Sequence, residues 1–494
     1  MQLPADFKYS MCTQLGPEGA ERLFQGLEQE PSVSVRVNPC KGDGATLAQQ
    51  PQCTPVPWCR DGFYLSQRPS FTFDPLLHAG AYYVQEASSM FVQRALHTYV
   101  QQPVIALDLC AAPGGKSTLM RASLPQGSLL VSNEPIHNRA QVLVENMIKW
   151  GHPDVVVTQN YPDAFSTFHH LFDVVVADVP CSGEGMFRKD EVAINEWSSA
   201  NVQMCAQRQR EIMEAVWPAL KPGGLLVYST CTFNVEEDEK NVLWIARTLD
   251  AEVLPVEMNS EWGVCGNMLS AEKVRIEGGK ESDTSLPMYH FMPGYTRGEG
   301  FFMAVLRKNV TEEAAEISEY AACEKPRKEK RKKGASSVSK ASMTTVPKEC
   351  RSWLLDSDSY NFYIDETGLC RAFSTVYEPV LARLREHLTV LHAGVEVAEC
   401  KGRDWVPAHG LAMSLAFRRE AFPNCAVEAD LAVAYLRKEA VVLDAAVPKG
   451  IVCLTYKDLP LGFVKNLGNR ANNLYPQEWR IRTTHIAHFC LWDD

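Results

Sequence analysis

Between Pro103 and Lys308, short runs rich in Val, Ile and Leu alternate with longer stretches of helical period. The runs are Val104–Cys110, Ser128–Glu134, Asp154–Thr158, Phe172–Asp178 and Gly224–Cys231, with Ala251–Val256 and Gly300–Leu306 closing the series. Most are nearly unbroken in apolar residues, as strands covered on both faces of a parallel sheet must be. Pro135–Trp150 carries Ile136, Ala140, Leu143, Met147 and Ile148 on one face and stops at Gly151; Val202–Leu220 stops at Lys221-Pro-Gly-Gly. The pattern predicts an α/β domain with a seven-stranded, doubly wound, Rossmann-like sheet. Ligands of such sheets sit at the carboxyl ends of the strands, so the residues just after each run carry the functional expectation.

The chain has 494 residues, more than one such domain needs. We divide it into an N-terminal α+β extension (1–102), the sheet domain (103–308), a basic linker (309–348), a small C-terminal domain (349–425) and a terminal module (426–494). The linker contains Lys325-Pro-Arg-Lys-Glu-Lys-Arg-Lys-Lys333 and few large apolar residues, too little to offset the entropy of ordering it. The run reads either as a solvated tether or as a phosphate contact. Net charge is −11, from 49 basic and 60 acidic residues, which argues against binding nucleic acid by bulk electrostatics. It leaves room for a local basic surface. No run approaches 18 apolar residues, and the first twelve lack a basic segment leading into an apolar one, so neither a membrane span nor secretion is expected. None of the 16 cysteines forms a C-x-x-C pair. Reduced thiols in the cytoplasm, with no bound metal, are the expectation.

After the first run comes Asp108-Leu109, then Cys110-Ala111-Ala112-Pro113-Gly114-Gly115-Lys116-Ser117. Paired glycines between strand and helix let backbone approach a ligand, although Gly114-Gly115 alone would suit any tight turn. The second run ends in Glu134, where a carboxylate would hold a ribose diol. The loop lacks G-x-G-x-x-G, so an adenosine cofactor without pyrophosphate fits best: S-adenosylmethionine.

The fourth run ends Asp178-Val-Pro-Cys181 and the fifth Tyr228-Ser-Thr-Cys231. A lone cysteine after a strand is usually a packed thiol. Two at one ligand edge, beside an aspartate, suggest chemistry. Carbon 5 of cytosine accepts a methyl group only after a thiolate adds to carbon 6, with an acid supporting N3. A second group must then help to resolve the adduct.

These segments resemble the Sun-type RNA (cytosine-5) methyltransferases, which use S-adenosylmethionine. The likeness covers Asp108–Ser117, Asp178–Lys189, Tyr228–Asn234 and Arg297–Phe302. Upstream, Arg36-Val-Asn38, Pro57-Trp58 and Ala79–Met90 resemble the family's RNA-facing portion. The resemblance implies that Cys231 is the nucleophile and that Cys181 assists product release. It also implies that Cys110, Ala111, Ala112, Pro113, Gly114, Gly115, Lys116 and Glu134 bind the cofactor, with Asp178 between cofactor and base. One departure stands out. Tyr161 occupies the place where the family often has an acidic residue for the adenine amino group, and Asn160 or Asp163 could substitute.

The terminal module interleaves Lys457, Lys465, Arg470, Arg480 and Arg482 with Tyr475 and Trp479. Cations with exposed rings suit single-stranded RNA; a small barrel with its rings in the core is the other reading. This segment resembles the PUA-like module of bacterial enzymes of the RsmF type, which modify 16S ribosomal RNA. Leu391–Leu415, with Pro407–Met413, resembles the small domain before it. The expectation is therefore a monomeric RNA cytosine-5 methyltransferase acting on ribosomal RNA or the small ribosomal subunit, away from membranes. A tRNA methyltransferase and a catalytically idle assembly factor are the alternatives. A target base must be unstacked to be reached, which favours a loop or a partly assembled particle.

Overall fold

The computed structural model describes residues 1–42, 44–269, 285–310, 346–402 and 404–483. Most of the expected linker, including the basic run 325–333, lies outside the described residues.

The seven expected strands are present: Ile105–Asp108 (β1), Leu129–Asn133 (β2), Val155–Thr158 (β3), Phe172–Asp178 (β4), Leu220–Thr230 (β5), Ala251–Leu254 (β6) and, after one more strand, Phe301–Lys308 (β8). The additional strand is Tyr289–Phe291 (β7), which pairs with β8 and is bridged on its other side by Cys265, and Val390–Ala393 (β9) forms the opposite edge. The sheet order is β6-β8-β5-β4-β1-β2-β3-β9, parallel from β5 to β3 and antiparallel at its margins. The chain runs outward from β1 to β3 and returns to β4 on the far side of β1. This reversal opens the crevice in which such sheets hold ligands. The fold is a Rossmann-like, doubly wound α/β sheet, as the apolar runs predicted.

Neighbouring residues of each strand enter opposite cores. Leu107, Val131, Val156 and Val175 face one; Ala106, Leu130, Val155 and Val174 face the other. Burial on both faces explains the unbroken apolar runs. β5 begins earlier than expected, at Leu220, because Leu220 pairs with Phe172 before a register shift; Lys221-Pro-Gly-Gly is thus carried inside the strand. The helix before it ends at Val216, and the helix after β2 starts at His137.

In the N-terminal part, a helix (Ala5–Leu27), broken where Gly16 takes φ 73° before Pro17, precedes a four-stranded antiparallel sheet. The 349–425 segment is joined to the central sheet: β9 belongs to it, and Tyr360–Ile364, Leu369–Ser374, Val395–Lys401 and Asp404–Pro407 form a second four-stranded sheet. A third sheet, Asn424–Ala426, Gly450–Tyr456, Leu459–Asn466 and Ala471–Asn473, packs against the N-terminal part. Val35, Val37, Leu76 and Tyr82 share one core with Val427, Tyr435, Val464 and Tyr475. The first and last modules are thus packed together. No described helix is long and apolar enough to cross a membrane.

Candidate active site

The turn after β1 is held from several directions. Ala111 N donates to Asn133 O (2.8 Å), Arg139 donates to Ala112 O (3.0 Å) and Asn146 to Pro113 O (2.7 Å). Gly114, at φ 118°, caps helix Gly115–Ser123 in a conformation that side chains disfavour. Burial pushes the Cys110 thiol up, which suits a packed group. Asp108 is fully buried; one oxygen accepts from Ser117 Oγ (2.7 Å), and burial raises its pKa to about 7. Glu134 is 1% exposed at the end of β2. One of its oxygens accepts from Ile136 N (3.0 Å), and the other faces the exposed Arg139 at 3.5 Å, leaving acceptor capacity. That spare, buried carboxylate and the backbone-lined glycine turn fit the diol and charged end of an adenosyl cofactor.

The ends of β4 and β5 and the helix after β1 bring four expected residues together. Lys116 Nζ lies 2.9 Å from Asp178 Oδ2, and Ser229 Oγ donates to Asp178 Oδ1 (2.8 Å). Burial works against the Lys116 charge, but Asp178 outweighs it and the lysine pKa stays raised. Cys181 and Cys231 are free thiols with their sulfurs 3.0 Å apart, and Cys231 N donates to Cys181 Sγ at 3.3 Å. Their hydrogen bond, together with burial, holds the Cys181 thiol well above its usual range.

Two acidic residues with no part in the sequence expectation sit behind the thiols. Glu237, lifted to about pKa 7 by burial, accepts from Ser182 N (3.0 Å), Gln209 (2.7 Å) and Asn234 (2.9 Å). Glu184, fully buried, binds the Cys231 loop. Nothing in the sequence marks either acid as buried, since both lie in loops after strand ends. Behind them, buried Asp238, Glu239 and His290 are close enough to surround a metal ion, and His290 Nε2 already pairs with Glu239 (2.9 Å).

The open adenine contact also gains a partial answer. Asn160 is committed elsewhere: its side chain donates to Thr389 O (3.4 Å) and accepts from Thr389 N (3.1 Å), fastening β9. Tyr161 is 66% exposed and Asp163 is exposed.

The terminal module requires a correction. Lys457, Lys465, Arg470, Arg480 and Arg482 are exposed, as expected of phosphate contacts. Tyr475, expected to stack on bases, is fully buried, with its ring against Tyr435 and His409. Trp479 is half-buried, edge-on to His409 and beneath Lys149 Nζ (5.4 Å). Tyr475 belongs to the core shared with the N-terminal part, because the module docks there through its aromatic face.

A doubly wound sheet with a glycine turn, a buried carboxylate and two free thiols at one rim has the layout of a methyltransferase. Comparison with known proteins narrows this. Residues 97–307 match the family model "16S rRNA methyltransferase RsmB/F", residues 3–87 the N-terminal domain of 16S rRNA methyltransferase RsmF, and residues 422–481 the methyltransferase RsmF PUA domain. Ribosomal RNA small subunit methyltransferase F of Shewanella loihica is 30% identical over 467 residues, covering 90% of this chain and 88% of that one. The protein of that name from Shigella boydii is 30% identical over 463 residues, covering 90% and 89%. A methyltransferase homologue from Pyrococcus horikoshii superposes with a TM-score of 0.51 at 27% identity, covering 61% of this chain and 94% of its own. NSun6 from the same organism, solved with SFG, gives 0.52 at 18%, covering 62% and 99%, a likeness of fold. The chain belongs to the RsmB/F family of 16S rRNA methyltransferases.

Proposed function

We propose that this protein transfers a methyl group from S-adenosylmethionine to carbon 5 of cytosine in 16S ribosomal RNA, through a covalent adduct between Cys231 and carbon 6. The observation that carries the reading is the pair of free thiols 3.0 Å apart beside the Lys116–Asp178 ion pair. When bound, the cofactor supplies an electrophilic methyl group; Cys110–Lys116 and Glu134 are the residues that would hold it. Cys231 thiolate adds to carbon 6 and makes carbon 5 nucleophilic. Asp178, oriented by Lys116 and Ser229, steadies the base at N3. Once carbon 5 is methylated, its proton leaves to a base, the carbon 6–sulfur bond breaks, and Cys231 departs as thiolate. Cys181, which enters the cycle as a thiol, assists this last stage. In this reading residues 1–102 face RNA, 103–308 carry the chemistry and 426–494 add contacts through Lys457, Lys465, Arg470, Arg480 and Arg482.

Cys231→Ala should abolish methylation, whereas Cys181→Ala should accumulate a covalent protein–RNA adduct on denaturing gels. Normal turnover by Cys181→Ala, with no adduct, would refute the two-cysteine assignment. Bisulfite sequencing of ribosomal and transfer RNA from a deletion strain identifies the substrate; a site lost from tRNA alone would overturn the ribosomal reading.

A further inference from the structure

Glu184 is fully buried, three residues past Cys181. No lysine, arginine or histidine forms an ion pair with it among the described residues. Its two oxygens instead collect four hydrogen-bond donors: Thr232 Oγ1 (2.6 Å) and Phe233 N (2.8 Å) on Oε2, Trp197 Nε1 (2.9 Å) and Asn234 Nδ2 (3.1 Å) on Oε1. Three of these donors belong to the residues directly after Cys231. The fourth is the indole that anchors the segment 191–197 over this part of the molecule. A carboxylate has lone pairs enough for all four donors, and it is the side chain that presents only acceptors. Such charge-assisted bonds in a dry interior are strong and directional.

We propose that Glu184 is the positioning residue of the active site: it ties the Cys231 loop to the Cys181 loop and thereby sets the approach of the two sulfurs. The neighbouring contacts fit this role. Gly185 N donates to Cys231 O (2.9 Å), so the residue after Glu184 is locked onto the nucleophile's own carbonyl. A side chain at Gly185 would meet Cys231 O at 2.9 Å and Gly300 backbone at 2.8 Å, so the two loops touch with no room between them. Glu237 fixes Ser182 from behind but reaches only Asn234 of the Cys231 loop. Glu184 alone of the two acids binds both Thr232 and Phe233.

The isosteric variant is a sharp probe. In Glu184→Gln, an amide nitrogen replaces one oxygen and its hydrogens confront two donors, so one half of the clamp turns repulsive with almost no change of shape. The catalytic part of this inference rests on the two-cysteine reading above, so the primary measurement is independent of methylation. The full-length protein is treated with the azo oxidant diamide, which takes up the two thiol hydrogens as a sulfur–sulfur bond forms. The Cys181–Cys231 cross-linked peptide is then followed by mass spectrometry. Wild type should cross-link rapidly and Glu184→Gln at least about tenfold more slowly. In methylation assays kcat should fall by a similar factor while the affinity for S-adenosylmethionine stays within about twofold, because the glycine turn and Glu134 lie on other strands. Should Glu184→Gln fail to fold, Thr232→Val removes a single donor and should slow cross-linking to a smaller extent. A folded variant that cross-links at the wild-type rate overturns the proposal. Slow cross-linking in a protein whose wild type shows no cytosine methylation would leave Glu184 in this role and remove only the reaction assigned to the thiols.

Discussion

Asp108 shows what burial does to a carboxylate that has a single hydrogen-bonded oxygen. Its pKa rises from 3.8 to about 7 on folding, so between those values the folded chain keeps a proton that the unfolded chain has lost. Stability from this residue is therefore fully present below about pH 4 and is lost as pH rises to about 7. Asp108→Asn keeps an acceptor for Ser117 and cannot ionise. Relative to wild type it should gain roughly 2–4 kcal/mol between about pH 4 and pH 7.5 in urea unfolding. A difference that stays flat with pH would show that Asp108 is ionised in the folded state. Residue identity was legible in the sequence where the residue type itself is unusual at a strand end: Cys181, Cys231, Asp178, Gly114 and Glu134 all converge on one rim. Glu184 and Glu237 were not legible, because an acid in a loop is ordinarily solvated and nothing local tells a buried one apart. Tyr475 failed for the converse reason. A ring among cations looks available for stacking, and only the docking of its module decides which way it faces.

At the level of elements, strands buried on both faces leave a strong imprint, and β1–β6 and β8 could all be located from apolar runs. β9 could not. Val390–Ala393 is four residues long, includes a histidine, and pairs with a strand far earlier in the chain. Its exit is equally specific: Gly394 turns the chain from the central sheet into the next one at φ 72°, where an added Cβ would lie 2.1 Å from Ala372 O. Gly394→Ala combines a disfavoured backbone with a backbone clash and should cost at least about 2 kcal/mol. Equilibrium urea denaturation measures this; a loss under about 0.5 kcal/mol would mean that the turn relaxes freely. Asn160, expected as a possible adenine contact, spends its side chain on Thr389 at this same junction, a use that no local pattern announces.

For the whole molecule, charge and packing separate cleanly. The net charge of −11 coexists with exposed cations on the last module, Lys457, Lys465, Arg470, Arg480 and Arg482 among them, while its aromatic face is given over to the N-terminal part. The cations are thus free of any need for neighbouring rings, and their contribution to RNA affinity should be mainly electrostatic. Replacing Arg480 and Arg482 together by Ala should weaken RNA binding at low salt and reduce the slope of log affinity against log salt by about 1 to 2. An unchanged slope in a filter-binding titration would place the RNA elsewhere. Methylation by the folded variant at saturating RNA should persist, since neither arginine touches the rim. The shared core also means that the last module is no detachable tail. Removing it uncovers the helix Pro75–His78, which packs against Ala429–Leu436 and Leu459–Asn466 and meets Tyr475 through His78.

The β3–β9 pairing imposes an order on synthesis. A ribosome making this chain releases Val155–Thr158 long before Val390–Ala393 exists, so the nascent methyltransferase sheet spends that interval with one flank of β3 bare. Pairings this distant in sequence close late and leave the growing chain open to wrong partners. The rim that carries Asp178, Cys181 and Cys231, built from β1, β2, β4 and β5, can assemble during elongation, whereas the sheet that supports it is complete only when translation has passed Ala393.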